Sequence, residues 1–495
     1  MTKRQSDSFL LVLLGCVLFC GLGVAWECTS PASLIDFKPL YDGARCLVDH
    51  SDPYRQSDLL RVYRLDEAVR PPNPASLGEV VTLYVNVPTL LVLTTPLALL
   101  AWGPAHVTWM LLIAACFILA ACLMWGRGAR DAPVIAGALV CVFLSGSELL
   151  LEVGNAAGIA MGLCVIAAWC FLEERFVRAG MLCFALSLLI KPHVTGPILL
   201  YFLLAGGKNR KRALETVALT AVLGLIAVLW VTHVAPHWYA EWHANLRMAS
   251  ARGGVNDPGP TVLDTRAHGA SMISLQSIFS LIRDDPGFYN PASYLVGAPF
   301  LIIWAVTVIR RRFSEQGAWL ALAAVAALSM LPLYHRQNDT RLLLLTVPAM
   351  AVLWAAGGIT ARLGLLVTGA NAFFTGDIVV QALGKAAHHF RLPTYGIPGQ
   401  LLNFVLIRPV PLILLVTGTF YLWAYMRYPS GLEASAIPAD SGRQIPAQIS
   451  PPTQARDTGE NERTSRDRRV SGPRDRNPAV LIDKPKQSGE ALSHD

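Results

Sequence analysis

FLLVLLGCVLFCGLGVAW, Phe9 to Trp26, runs for 18 residues without a charge. At about 1.5 Å per residue, a helix of this length approaches the ~30 Å of a bilayer's hydrocarbon. Lys3-Arg4 precedes the run, and no small-x-small cleavage pattern precedes Glu27. It therefore reads as an uncleaved first span rather than a removed signal peptide. Similar runs recur near 85–101, 105–125, 133–147, 156–172, 214–232, 293–309, 317–333, 342–361 and 404–426.

Composition agrees with that reading. Of the 495 residues, 53% are hydrophobic and 15% charged. A soluble domain carries about 25% charge, and this chain cannot clothe itself in solvated surface. The expected fold is all-α, a polytopic membrane protein with 10 to 13 spans. The formal charge of +7 sits in clusters beside the spans: Lys3-Arg4, Lys208 to Arg212 and Arg310 to Arg312. That is the positive-inside pattern of cytoplasmic loops and no sign of a nucleic-acid partner. The ten cysteines include no C-x-x-C pair, and most lie inside spans as small apolar residues. Cys28 and Cys46 share one loop and can pair if it faces an oxidising compartment.

The chain divides into a membrane domain, 1–428, and a tail, 429–495. The tail mixes Ser, Pro and both charges with almost no aromatics, and reads as disordered and cytoplasmic. Two long polar stretches, about 27–79 and 236–291, are expected outside. In the first, Ser57 to Arg70 has a helical pattern suited to the membrane interface, and Pro71-Pro72-Asn73-Pro74 ends it. Two points of topology conflict. Lys191-Pro192 breaks the stretch 179–204, which places both flanking basic clusters inside only as two short helices. Arg127 and Arg130 fall outside when counted forward from the first loop and inside when counted back from Lys208 to Arg212.

Polar residues at membrane level are costly and mark candidate sites. Asp36, Tyr41, Asp42, Asp52 and Tyr54 crowd the first loop. Asp36 lies about ten residues past the first span, where a carboxylate can act as a general base toward a hydroxyl, or can cap a helix. Asn155 follows Gly154 between spans. Lys191 can hold a lipid phosphate or snorkel. Tyr334-His335-Arg336 and Asp339 lie between two later spans, as cavity residues or a span end. His237, Trp238, Trp242 and His243 suit an interface belt or a sugar-stacking surface. Asn338-Asp-Thr340 matches a glycosylation acceptor.

Taken in order, these elements resemble glycosyltransferase family 87. The matching residues are Asp36-Phe37, Tyr41, Ala44, Asp52-Pro53-Tyr54, Tyr84 to Pro88, Pro96-Leu97, Gly154-Asn155, Ala179-Gly180, Lys191-Pro192, Ser274-Leu275-Gln276-Ser277, Tyr334-His335-Arg336 and Asp339. Two positions depart from the family pattern: Ser51 stands where a glycine precedes the Asp-Pro-Tyr turn, and Gly154-Asn155 lacks the usual glutamine spacing. The resemblance implies the GT-C membrane fold and transfer of mannose or a related hexose from a polyprenyl-phosphate sugar to a lipid or glycan acceptor. It implies an active site on the external, periplasmic face of a cell membrane. Asp36 is the implied base. Tyr41, Asp42, Tyr54, Asn155, Lys191, Gln276, His335, Arg336 and Asp339 are the implied substrate-binding residues. No cofactor and no obligatory metal are expected, since basic side chains can neutralise a monophosphate leaving group. The competing class is a transporter or lipid-linked-sugar flippase, which shares the many spans and the lone membrane-level lysine.

Overall fold

The computed structural model describes residues 3–30, 33–67, 83–259, 272–379 and 408–428, with 382 and 389. They lie in one unit, Met1–Ile437. The Pro71–Pro74 breaker and the 429–495 tail fall outside the described residues. The described residues form helices joined by turns and loops, with one isolated bridge between Met272 and Arg336. The chain is an all-α polytopic membrane protein. Seven described helices are long and apolar enough to cross a bilayer: Gln5–Thr29, Trp102–Gly128, Pro133–Glu152, Gly207–Val234, Pro286–Arg310, Gln337–Ala356 and Val410–Arg427. Six shorter apolar helices accompany them.

Hydrogen bonds and ion pairs sort the helix ends into two groups. One end of the bundle is rich in charge. Arg127 reaches Asp131 at 2.7 Å and Glu315 at 2.9 Å, and Arg130 pairs with Glu173 at 2.8 Å. Lys208 pairs with Glu174, and Arg311 donates to the carbonyls of Tyr425 and Tyr428. The start of the first helix belongs to the same end, where Ser8 donates to the carbonyl of Pro133 and accepts from Trp125 Nε1. The opposite end gathers Glu27 with His106, Leu34 with Glu152, and Trp109 with Gly154.

This sorting removes the conflict over Arg127 and Arg130, which join the other basic clusters. The fault lay in the apolar run 85–101. Its helix, Pro88–Ala98, has 11 residues. At 1.5 Å per residue it extends only about 16 Å, half of what a crossing needs. Both its flanks stay beside the first loop: Tyr54 donates to the Asn86 carbonyl and Tyr41 to the Leu100 carbonyl. The other expected break is present. Val177–Ile190 and Pro192–Ala205 meet at Lys191, whose backbone leaves the helical region at φ −140°, ψ 75°. Pro192 takes the first turn of the new helix, where its missing N–H costs nothing.

The described parts of the two polar stretches contain short helices. The first contains helices Phe37–Val48 and Gln56–Glu67. The second contains Trp238–Ser250 and Leu275–Ile282. The second ends sooner than 291, because Asp285 accepts from the Gly287 N–H and Pro286 opens the long helix Pro286–Arg310. An aspartate cap followed by proline is a strong helix start. Cys28 is exposed and Cys46 buried, and both are free thiols.

Candidate active site

The site begins with a close approach of two backbones. Asp36 donates its N–H to the Val153 carbonyl at 2.9 Å, and Leu34 to that of Glu152 at 2.8 Å. Gly154, the next residue, has φ +66°, and a β-carbon there would lie 2.8 Å from Phe37 Cβ. Only glycine meets both demands at low cost. The turn it makes aims Asn155 at Asp36, and Nδ2 donates to the carboxylate at 2.6 Å. The Asn155 oxygen accepts from the Ala157 N–H at 2.8 Å, which fixes the amide's orientation. Asp36 stands at the N-cap of Phe37–Val48, yet its side chain makes no capping bond. Its carboxylate is turned to Asn155 instead and remains partly exposed. Behind it, Phe37 stacks on Trp109 and Trp102 at 5.0 and 5.5 Å.

A second set of charged groups faces the same end. Lys191 Nζ lies 2.8 Å from Asp339 Oδ1. Asp339 sits in the 3-10 helix Gln337–Leu345, and its other oxygen accepts the Arg336 N–H at 3.1 Å. Arg336 donates through Nε to the Tyr334 hydroxyl at 2.6 Å and through Nη2 to the Val255 carbonyl at 2.5 Å. Tyr334 donates in turn to Asn256 Oδ1 at 2.7 Å. Burial opposes the charge on Arg336, but Tyr334, Asp36 and Asp339 outweigh it and raise the guanidinium above its ordinary value. Asp36, 300 positions away in the sequence, is thus among the charges that act on Arg336. His335 is fully buried, and burial lowers its imidazole below the ordinary value, with Asp339 opposing.

The other expected residues serve this frame from a distance. Tyr41 is buried and spends its hydroxyl on the Leu100 carbonyl. Asp42 is buried in the same helix. Asp52 accepts the Tyr54 N–H at 2.9 Å, a local turn. Asn245, from Trp238–Ser250, donates to the carbonyls of Tyr54 and Tyr84, and this fastens the second loop to the first. Trp238 packs on Tyr54 within an aromatic run that includes Trp242 and His243. Gln276 is buried and donates to Asn290 at 2.7 Å. Its segment splints the charged stretch: Ile273 N–H bonds the His335 carbonyl at 3.1 Å, and Leu275 N–H that of Leu331 at 2.9 Å. Asn338 is buried and offers no accessible glycosylation acceptor.

Two contributors are absent from the sequence reading. Asn256 closes the Tyr334–Arg336 triangle. His193 brings a ring to 5.3 Å from that of His335, and with Asp339 these residues place three donor atoms within 4.8 Å of one another. The adjacency of His193 to Lys191-Pro192 was its one visible signal.

Neither the curated proteins nor the solved structures contain a match to this chain. The family model for Glycosyltransferase family 87 matches residues 84–334, just over half of the chain. The matched stretch holds Asn155, Lys191, Gln276 and Tyr334, and Asp36 precedes it. A helical membrane bundle that carries this stretch is a membrane glycosyltransferase, and the chain belongs to glycosyltransferase family 87.

Proposed function

We propose that the chain transfers a hexose, mannose by the family resemblance, from a polyprenyl-phosphate sugar to a lipid-linked or glycan acceptor on the external face of a cell membrane. The observation that carries this reading is the Asp36 carboxylate, held at 2.6 Å by Asn155 yet partly exposed, and among the charges that act on Arg336. Asp36 takes the proton of the acceptor hydroxyl. The acceptor oxygen attacks the anomeric carbon, and the bond from that carbon to the phosphate oxygen breaks. Polyprenyl phosphate leaves with the electron pair, and the anomeric configuration inverts. The negative charge that grows on the leaving phosphate needs fixed cations in a water-poor site. Arg336 and Lys191 supply them, and Tyr334, Asp339 and Asn256 fix where they point. The polyprenyl chain lies in the surrounding membrane lipid.

The test supplies purified protein with radiolabelled polyprenyl-phosphate mannose and a membrane lipid extract. Labelled product is expected with wild type, and Asp36→Asn is expected to lower the rate about 10²- to 10⁴-fold, the usual worth of a general base. Equal transfer by both proteins sinks the role of Asp36. Movement of the intact donor across vesicles without sugar transfer favours a flippase.

A further inference from the structure

His335 is bonded through one ring nitrogen only. Nδ1 lies 3.1 Å from the Leu333 carbonyl, an oxygen that can only accept. The ring proton therefore sits on Nδ1, and Nε2 presents a bare lone pair. Nε2 is fully buried and has no hydrogen-bond partner. A buried acceptor without a donor is rare in a native fold and implies a missing group. Two further donors lie beside the same ring. One is a ring nitrogen of His193, which is exposed, and the other is the Asp339 carboxylate; one ligand atom from each of the three residues lies within 4.8 Å of the other two.

Two nitrogens and a carboxylate oxygen, with a fourth position open, match a zinc-class centre. Zinc bonds of about 2.0–2.1 Å place tetrahedral donors about 3.3 Å apart. Each donor here needs to close in by at most about 1 Å. The supporting bonds are those that orient metal ligands: a histidine donating its second ring N–H to a carbonyl, and a carboxylate held by a backbone N–H. Leu333 and Arg336 provide them. One feature opposes the cation. Lys191 Nζ is 2.8 Å from Asp339 Oδ1, where its ammonium supplies the positive charge a metal would bring.

We propose that His193, His335 and Asp339 form a binding site for a zinc-class divalent cation, and that the cation and the Lys191 ammonium compete for Asp339. Binding draws Asp339 away from Lys191 and leaves an open coordination position for an anionic oxygen.

The experiment uses full-length protein in detergent, stripped with a chelator and titrated with Zn²⁺, and separately with Co²⁺ to read its visible absorption. One equivalent of zinc per chain is expected, with tetrahedral-type cobalt bands. His193→Ala is expected to weaken binding at least tenfold and remove those bands. Because His193 is exposed, this variant keeps the fold even if His335→Ala does not. Lys191→Met is expected to tighten binding about tenfold. His243→Ala, in the separate aromatic cluster, is expected to leave it unchanged. Zinc binding that survives His193→Ala, or that weakens in Lys191→Met, overturns the proposal, as does absence of binding by wild type. No donor or acceptor is present, and the result stands apart from the fate of the transferase reading.

Discussion

Gly154 and Asn155 stand side by side but fail in different ways when changed. In Gly154→Ala the new β-carbon meets Phe37 at 2.8 Å while the backbone holds φ +66°. Strain of this kind costs about 1–3 kcal/mol. The variant is expected to melt several degrees lower and to lose transfer together with stability. Asn155→Ala removes one donor from a partly exposed carboxylate and one acceptor from the Ala157 N–H, without placing any new atom. It is expected to lose about 1 kcal/mol with the bond to the Ala157 N–H, and about a hundredfold in kcat, the scale of a small misplacement of a reacting group. Measuring melting and kcat on both variants separates the two roles, and a wild-type kcat in Asn155→Ala would refute the assignment. His335 adds a pH dependence. Burial lowers its folded pKa, so the unfolded chain binds the proton more readily. Its share of stability is complete above the unfolded value of about 6.5. That share is lost as pH falls below it toward the folded value. Denaturant midpoints taken between pH 7.5 and 5.5 are expected to fall, and to fall less in His335→Gln. Asp36 was visible from the order of motifs in the crowded first loop, and Lys191 because it interrupts an apolar stretch. His193 gave no such contrast, because its partner His335 lies far along the chain and only the fold joins them.

At the scale of elements, the 3-10 helix Gln337–Leu345 joins the site to the interior. Asp339 serves Lys191. Two residues on, Arg341 bonds Asp377 at 2.6 Å and the Thr375 carbonyl at 3.1 Å. Asp377 also accepts the Leu149 N–H at 3.2 Å, and burial pushes its carboxyl up to about 6. The Glu148 carboxylate lies within the same electrostatic group, buried and without a hydrogen-bond partner. Two acids share one guanidinium. Arg341→Met leaves them unopposed and is expected to cost about 3–5 kcal/mol, the range for breaking a buried pair. Adding Asp377→Asn is expected to restore part of that loss, read by equilibrium unfolding in mixed micelles; simple additivity would show that the pair is not coupled. The long charge-free runs were legible because length alone decides a crossing. Pro88–Ala98 was not, since its apolar flanks extend the run to span length while its helix stops short. Phe37–Val48 was hidden by Pro39 and by the polar residues it buries, among them Lys38 and Asp42. Lys191-Pro192 was legible, because proline forces the break it shows.

For the whole molecule, the sorted helix ends carry a stronger statement than any local count of spans. The basic residues 127–130, 208–212 and 310–312 share one end with the start of the first helix, and Asp36, Lys191 and Arg336 share the other. Charge bias then predicts a bundle with the basic end inside and the site outside. The native Cys28, exposed at the site end, is a ready probe. In intact cells a membrane-impermeant thiol reagent is expected to label it. In a Cys28→Ser background, cysteines introduced at the exposed positions Asp49 and His237 are expected to label equally well. Cysteines at the exposed positions Arg130, Lys208 and Arg312 are expected to label only after permeabilisation. The Arg130 probe is the most telling, since counting Pro88–Ala98 as a crossing puts it outside. Labelling of Arg130→Cys in intact cells would restore that crossing and separate Arg130 from Glu173, its 2.8 Å partner. Labelling of both groups from outside would break the two-ended arrangement on which a single external site depends.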